Sequence, residues 1–395
     1  MQMINLLAPD VRANLYPTYA QMRLHHPVTQ VEPGGMWAVS RYDDVIFVLK
    51  NPQLFSSAGF KQALQPEWLA PATRNPLASS MLTADPPVHT KLRALVSRAF
   101  SSSVVQRIEP HIRQTIDGLI DGLLARGETD FIAEFASPLP GAILGHLLGL
   151  DPALYPHFRL WAEQMTVVTP TPTKAEQESR IRILEHCVSS LGAEVTRCRR
   201  APTDDLLSQL LRAEVDGVRM TDGEAVDFAS VLMVGGIETS TDILGNSMLV
   251  LSERPDLQEK LRADPSLIPA FIEEVLRYES PVQGLVRVTT AEVTLSGTTI
   301  PAGSLVFPLL ASANRDEKRY TNPEEFVLHR PQATVSFGHG IHACIGAQLA
   351  RVEVRLALEA LLTRIKTFTT VPGELTRVVS LLTRGLVELP FRFEA

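Results

Sequence analysis

A chain of 395 residues, 45% of them hydrophobic and 21% charged, can bury a large core and reads as neither disordered nor repetitive. Its net charge of −7 leaves no dominant basic surface for neutralising nucleic-acid phosphates, and no stretch reaches the roughly 18 uninterrupted apolar residues of a membrane span. Three cysteines, an odd number in a long chain whose N-terminus lacks a secretory pattern, suit a reducing compartment. A single unit over residues 1–395 is expected, cytoplasmic and monomeric, with no nucleic-acid or membrane partner.

In chain order, a short strand is expected at Met36–Val39. Ser56 to Thr83, punctuated by Pro66, Pro71 and Pro76, lacks strong periodicity and reads as a functional cover. After Asp85-Pro86-Pro87, His89 and Arg93 stand four apart at the start of a helix. Apolar residues then recur at helical spacing over Glu109–Leu124, Pro138–Leu148, Lys174–Cys198, Gly223–Ser252 and Pro265–Tyr278. From Gly284 to Leu310 the pattern alternates, with turns at Ser296-Gly297 and Pro301-Ala302-Gly303. A second irregular segment, Asn314 to Ser336, precedes a last helix over Gln348–Ile365. The protein should be mainly α, a large helical body with a smaller β-rich region.

Chemistry concentrates in FGHGIHACIG, Phe337 to Gly346. Glycines at 338, 340 and 346 permit backbone torsions that let the chain pass close to a flat cofactor, and Cys344 sits at a helix N-terminus, where free N–H groups favour an anionic sulfur. A thiolate ligand for iron fits this setting. A structural zinc site needs about four ligands, and Cys187 and Cys198 have no paired spacing near them. A nucleophile activated by His342 would not require this glycine pattern.

Two further constellations stand out. Gly235 and Gly236 interrupt a helix and are followed by Glu238, Thr239, Ser240 and Thr241. They serve either close helix packing, with the hydroxyls bonded back to carbonyls, or a widened turn that seats a small molecule beside an acid and an alcohol. Glu274 and Arg277, three apart on one helix face, make a weak signal alone. His89 and Arg93, with Arg287 where the chain enters the β region, suit an anionic carboxylate cofactor.

With these residues in hand the chain resembles the soluble bacterial cytochromes P450, over nearly its whole length. The F-G-x-G-x-H-x-C-x-G loop matches at Phe337, Gly338, Gly340, His342, Cys344 and Gly346, the E-x-x-R pair at Glu274 and Arg277, and the small-Gly-x-acid-Thr stretch at Gly235, Gly236, Glu238 and Thr239. Asp85 to Arg93, Ala313-Asn314-Arg315-Asp316 and Arg384-Gly385-Leu386 are also similar to stretches of the soluble members. The family pattern more often has alanine at Gly235 and threonine at Ser240, departures that leave a looser turn or more room above the iron.

The resemblance implies the P450 fold and a monooxygenase that activates dioxygen on haem b, with Cys344 as the proximal iron ligand. It implies that His89, Arg93, Arg287 and His342 bond the haem propionates, that Glu274 and Arg277 stiffen the segment before the cysteine loop, and that Thr239 and Glu238 serve oxygen binding and proton delivery. It places Ser56 to Thr83, Tyr155 to Lys174, Val231 to Val234, Gln283 to Val286 and Leu381 to Leu382 around an apolar substrate such as a polyketide, macrolide or terpenoid. With no fused reductase or membrane anchor, electrons would come from a ferredoxin and an NAD(P)H-dependent ferredoxin reductase. The ferredoxin would meet a basic patch drawn from Lys91, Arg98, Arg107, Arg113, Arg351 and Arg355. The competing readings are a peroxide-driven fatty-acid hydroxylase, a non-redox haem-thiolate enzyme and a gas-binding haem protein; the first two commonly replace the Glu238–Thr239 pair, and the last does not need it.

Overall fold

Ile108, Ile112, Ile116, Ile120 and Leu123 recur at three- and four-residue steps, and all are buried on one face of the helix Ser102–Arg126. That face packs against Ala347–Arg364, whose Leu349, Val354, Leu358 and Leu361 enter the same core. In this computed structural model, which describes residues 3–69, 73–97, 100, 102–166, 172–215 and 217–394, those two helices form the spine of the helical body. Among the described residues no helix is long and apolar enough to cross a membrane.

The helix expected at Glu109–Leu124 reaches back to Ser102 and carries Pro110 inside it. Pro138–Leu148 has the expected bounds and ends on Gly149, which takes the left-handed conformation with φ 67°. Lys174–Arg200 and Asp222–Met233 each begin at a capping box, Thr173 with Glu176 and Thr221 with Glu224. The helix expected over Gly223–Ser252, with its interruption at Gly235 and Gly236, is three pieces: an α-helix Asp222–Met233, a π-helical turn Val234–Glu238 and an α-helix Thr239–Glu253. The region 265–278 opens with a 3-10 turn, Pro265–Leu267, before the helix Ile268–Tyr278.

The β-rich region is a six-stranded sheet in the order Ile4–Asn5, Val28–Glu32, Met36–Val39, Leu305–Pro308, Arg287–Thr289, Phe55–Ser56. Met36–Val39 runs antiparallel to Val28–Glu32 and parallel to Leu305–Pro308, with Val306 opposite Trp37, so strands from both ends of the sequence share one sheet. Val28, Val39, Val45, Val306 and Leu310 form a second, smaller core there. The expected turn at Ser296-Gly297 joins Val293–Leu295 to Thr298–Ile300, with φ of 43° and 80°, the positive angles a tight hairpin demands.

Of the two irregular segments, Asn314 to Ser336 holds no helix or strand. The other is more ordered than its sequence suggests: Phe55–Ser56 edges the sheet, Gly59–Leu64 is helical, and Pro76–Ser79 and Met81–Thr83 are 3-10 turns. Each piece is too short for a period to show. Buried Asn75 fastens it by donating to the carbonyls of Leu64 at 3.1 Å and Met165 at 2.8 Å.

Candidate functional site

The cysteine loop is shaped by Gly338 and Gly340, with φ of 70° and 72°. A side chain at 340 would also collide with the backbone carbonyl of Leu49, so the loop is seated against the helix Tyr42–Lys50. Gly340–His342 forms a 3-10 turn, and the Cys344 N–H donates to the Phe337 carbonyl at 2.8 Å. The helix Ala347–Arg364 starts three residues later. Cys344 is accessible, yet enclosure by protein pushes its thiol above the usual range. The Gly346 N–H, Arg93, Arg351 and the Ala347 N–H pull it down again without prevailing. Two N–H groups and two guanidiniums thus act in favour of a thiolate, against the larger effect of enclosure. Arg351 lies 4.3 Å over the Phe337 ring, placing that cation beside the loop.

Four basic side chains from three segments meet next to this loop. His89 and Arg93 lie one turn apart on the helix Val88–Ser97, and Arg93 donates to the Ala343 carbonyl at 2.6 Å. The His89 and His342 rings approach to 4.2 Å between centroids, and His342 Nε2 bonds Ser57 Oγ at 3.0 Å. Arg287, buried at the start of its strand, donates to the Val286 carbonyl at 2.8 Å. Burial, then Arg287, His89 and Arg93, press His342 down to about 3, and burial lowers Arg287 to about 10. His89 and Arg93 are shifted down as well, chiefly by burial. Among the described residues Asp85 is the carboxylate acting on this group, and it already accepts from the Ser57 N–H at 2.9 Å and from the Ser56 hydroxyl. Crowded donors that depress one another's proton affinity fit a dianionic partner such as the propionate pair of a haem. Both histidines are shifted toward the uncharged form, so they meet such a partner as neutral hydrogen-bond donors.

Glu274 and Arg277 prove to be no surface pair. Both are almost fully buried, joined by two bonds of 2.7 and 2.8 Å. Arg277 also donates to the carbonyls of Asn314 (3.2 Å), Pro323 (2.7 Å) and Glu325 (2.8 Å), and Glu274 accepts from the Val327 N–H at 2.7 Å and Arg330 at 3.0 Å. The segment Asn314–Ser336, which has no ladder of its own, hangs on this pair. Asn314 completes the seam, donating to Ser280 and Ser336 and accepting from Thr334 and Val335. A lone polar residue in an irregular stretch carries no spacing signal, so nothing in the sequence marks Asn314 or Arg330 for this role.

On the interrupted helix the two glycines divide the two roles open to them. At Gly236 an added Cβ would sit 2.6 Å from Leu144 Cδ1, so this glycine allows close packing on Pro138–Leu148. At Gly235 an added Cβ would meet nothing within 4 Å. Thr239 Oγ1 donates to the Gly235 carbonyl at 2.6 Å inside the π-turn, while Thr241 bonds the Ala136 carbonyl of another element. Burial, then the Glu163 carboxylate, pushes Glu238 up to about 7. Thr166 Oγ1 donates to Glu238 Oε1 at 3.3 Å, a partner the sequence did not reveal. Asp242, one turn further, is buried and raised well above the carboxylate range.

The expected basic patch is largely offset. Arg113 pairs with Glu109, Arg351 with Glu273 and Arg355 with Glu359, while Arg107 shares a hollow with Asp204 and Asp205. Arg98 lies outside the described residues. Of the residues expected around the substrate, Leu64, Leu69, Phe158, Trp161 and Met165 are buried in the main core, with Trp161 packed between His157 and His186.

The chain is similar to known proteins over nearly its whole length. The family profile Cytochrome P450 matches residues 157–381. The cytochrome P450 monooxygenase PikC of Streptomyces venezuelae is 37% identical over 400 residues, covering 99% of this chain and 94% of that protein. The cyclomarin C epoxidase CymV of Salinispora arenicola is 38% identical over 369 residues, 90% of each. The solved structure of cytochrome P450 CYP109Q5 from Chondromyces apiculatus superposes with a TM-score of 0.90 at 37% identity, over 99% of this chain and 98% of that one. With a cysteine loop, a donor cluster and an acid–alcohol turn in one fold, and with relatives matched nearly end to end, the chain belongs to the cytochrome P450 family and is a monooxygenase.

Proposed function

We propose that this monooxygenase would hold haem b through Cys344 as its thiolate ligand and that it hydroxylates or epoxidises a hydrophobic small molecule of secondary metabolism. The observation that carries this reading is the meeting of Cys344 with His89, Arg93, Arg287 and His342, a thiol beside four donors whose chemistry suits an iron and the two carboxylates of one flat ligand. Phe337, Gly338 and Gly340 would support the proximal face. When bound, haem supplies dioxygen activation at iron, with thiolate donation favouring O–O cleavage.

The residues do the rest. Arg93 and Arg351 neutralise charge beside the sulfur, and the Gly346 and Ala347 N–H groups orient it. Thr239 holds its hydroxyl against the Gly235 carbonyl, at the rim of the open space above that glycine, and Glu238 stands next to it as a proton donor poised near neutrality. The apolar residues of the segments expected around the substrate favour one with few charges, and the likeness to CymV, a cyclomarin C epoxidase, supports a natural product of that kind. Electrons would come from an external ferredoxin and its NAD(P)H-dependent reductase, with docking beside the cysteine loop near exposed Lys91 and Arg351.

The test is the reduced carbon monoxide spectrum. The wild-type protein should show the strongly red-shifted Soret band of thiolate ligation, and Cys344→His should bind haem with a histidine-type band and no turnover. A histidine-type band in the wild type would sink the assignment of Cys344. A second expectation concerns Gly235→Ala: the added methyl enters open space and removes a helix penalty of about 1 kcal/mol, so the melting temperature should not fall, while product ratio or substrate affinity changes. An unchanged product profile and dissociation constant would count against Gly235 as a shaper of the pocket.

A further inference from the structure

Glu238 is the acid of the interrupted helix, yet among the described residues its side chain accepts a hydrogen bond from a different element. Thr166 Oγ1, the last residue of the helix Phe158–Thr166, lies 3.3 Å from Glu238 Oε1. The same hydroxyl lies 3.2 Å from the Ala162 carbonyl and 3.0 Å from the Glu163 carbonyl. One hydroxyl hydrogen faces three acceptors, and a hydroxyl both donates and accepts. When Glu238 is ionised, the hydrogen points to the carboxylate. When Glu238 is protonated, the carboxyl donates to Oγ1 and the hydroxyl turns its hydrogen back to its own helix. Both protonation states are satisfied without moving a heavy atom.

The remaining charged groups around Glu238 lie in order. On the neighbouring helix, Arg159 Nε donates to Glu163 Oε1 at 2.9 Å, and this pair is about two-fifths exposed to solvent. The Glu163 carboxylate raises the proton affinity of Glu238, and the Arg159 guanidinium lowers it. On its own helix Asp242 faces the next turn, with Arg377 behind it. The exposed Arg159–Glu163 pair and Thr166 thus stand on one helix, and Glu238, with Thr239 next to it, stands on the other.

We propose that the helix Phe158–Thr166 is the proton-supply side of the site: Thr166 is a positioning residue that holds the Glu238 carboxyl in both protonation states, and the Arg159–Glu163 pair links that carboxyl to bulk water. This rests on Glu238 as the proton donor of the reaction. The proton that Glu238 gives up to the oxygen site is replaced from water at the exposed pair, so charge balances over each turnover. Displacement of this helix would part Thr166 from Glu238 and stop reprotonation, tying proton supply to the placement of one helix.

The experiment uses the haem-loaded enzyme with its electron-transfer partners and a turned-over substrate, across a pH series. Thr166→Val, which keeps shape and removes the hydroxyl, should lower kcat about tenfold with substrate affinity held, and Thr166→Ser should restore it. Glu163→Gln removes the carboxylate that raises Glu238 and should move the alkaline limb of the kcat profile to lower pH; Arg159→Ala should move it to higher pH. A Thr166→Val enzyme with unchanged kcat and pH profile overturns the proposal, as does a loss that Thr166→Ser fails to rescue. Glu238→Gln run alongside separates the two levels. If it loses turnover while the Thr166 and Glu163 variants match the wild type, the network falls and the role of Glu238 stands; if it turns over normally, both fall.

Discussion

Arg277→Ala should destabilise the protein by about 3–5 kcal/mol, the usual consequence of breaking a buried ion pair by removing one partner. The substitution would leave Glu274 buried with only Arg330 and the Val327 N–H, and would strip donors from the carbonyls of Asn314, Pro323 and Glu325. Against a total stability of about 5–15 kcal/mol, that is a large fraction. Since the same carbonyls tie down the chain leading to Val335, whose carbonyl receives the Gly338 N–H, the cysteine loop should loosen with them. Denaturant melts and haem retention after gel filtration check this. Arg277→Lys should recover part of the stability and not all, because an ammonium cannot reproduce the forked geometry that serves two carboxylate oxygens and three carbonyls. A melt for Arg277→Ala within about 1 kcal/mol of wild type would show that the pair behaves like an exposed one.

Glu238→Gln should lower substrate turnover by a factor on the order of 10² to 10⁴, the range expected when a positioned acid is removed, with substrate binding unchanged. The pH dependence has a definite sign. Burial and Glu163 raise Glu238 to about 7, so the proton-donating form dominates below that pH and is lost as pH rises through it. Wild-type turnover should therefore fall on the alkaline side of neutrality, and the amide variant should show no such limb. Stopped-flow reduction by dithionite should be equal in both proteins, which separates proton supply from electron supply. Turnover of the variant within about twofold of wild type would remove Glu238 from the mechanism.

The cysteine loop was readable because its demands are local. Positive φ at Gly338 and Gly340 and a cysteine at a helix start all lie within ten residues. The helices were readable for the same reason, since apolar periodicity and capping boxes such as Thr221 with Glu224 are written in adjacent turns. The interrupted helix was partly readable: paired glycines announced an irregularity, but not that Gly236 packs on Leu144 while Gly235 faces space.

The sequence by itself determined the helical body, the shape of the cysteine loop and the pairing of Glu238 with Thr239, because each depends on neighbours a few residues away. Only the tertiary structure decided the rest. Glu274 and Arg277 changed from an ordinary helix-surface spacing to a buried clamp because Asn314–Ser336 folds over them and excludes water. His89 and His342 became uncharged donors because two arginines and burial oppose their protonation. The basic residues expected to greet an acidic partner found acids at their sides. Glu238 acquired Thr166 and Glu163 from a helix far away in sequence. In each case the charge state and strength of a polar group depend on what encloses it, and enclosure is a property of the packed chain that no local pattern records.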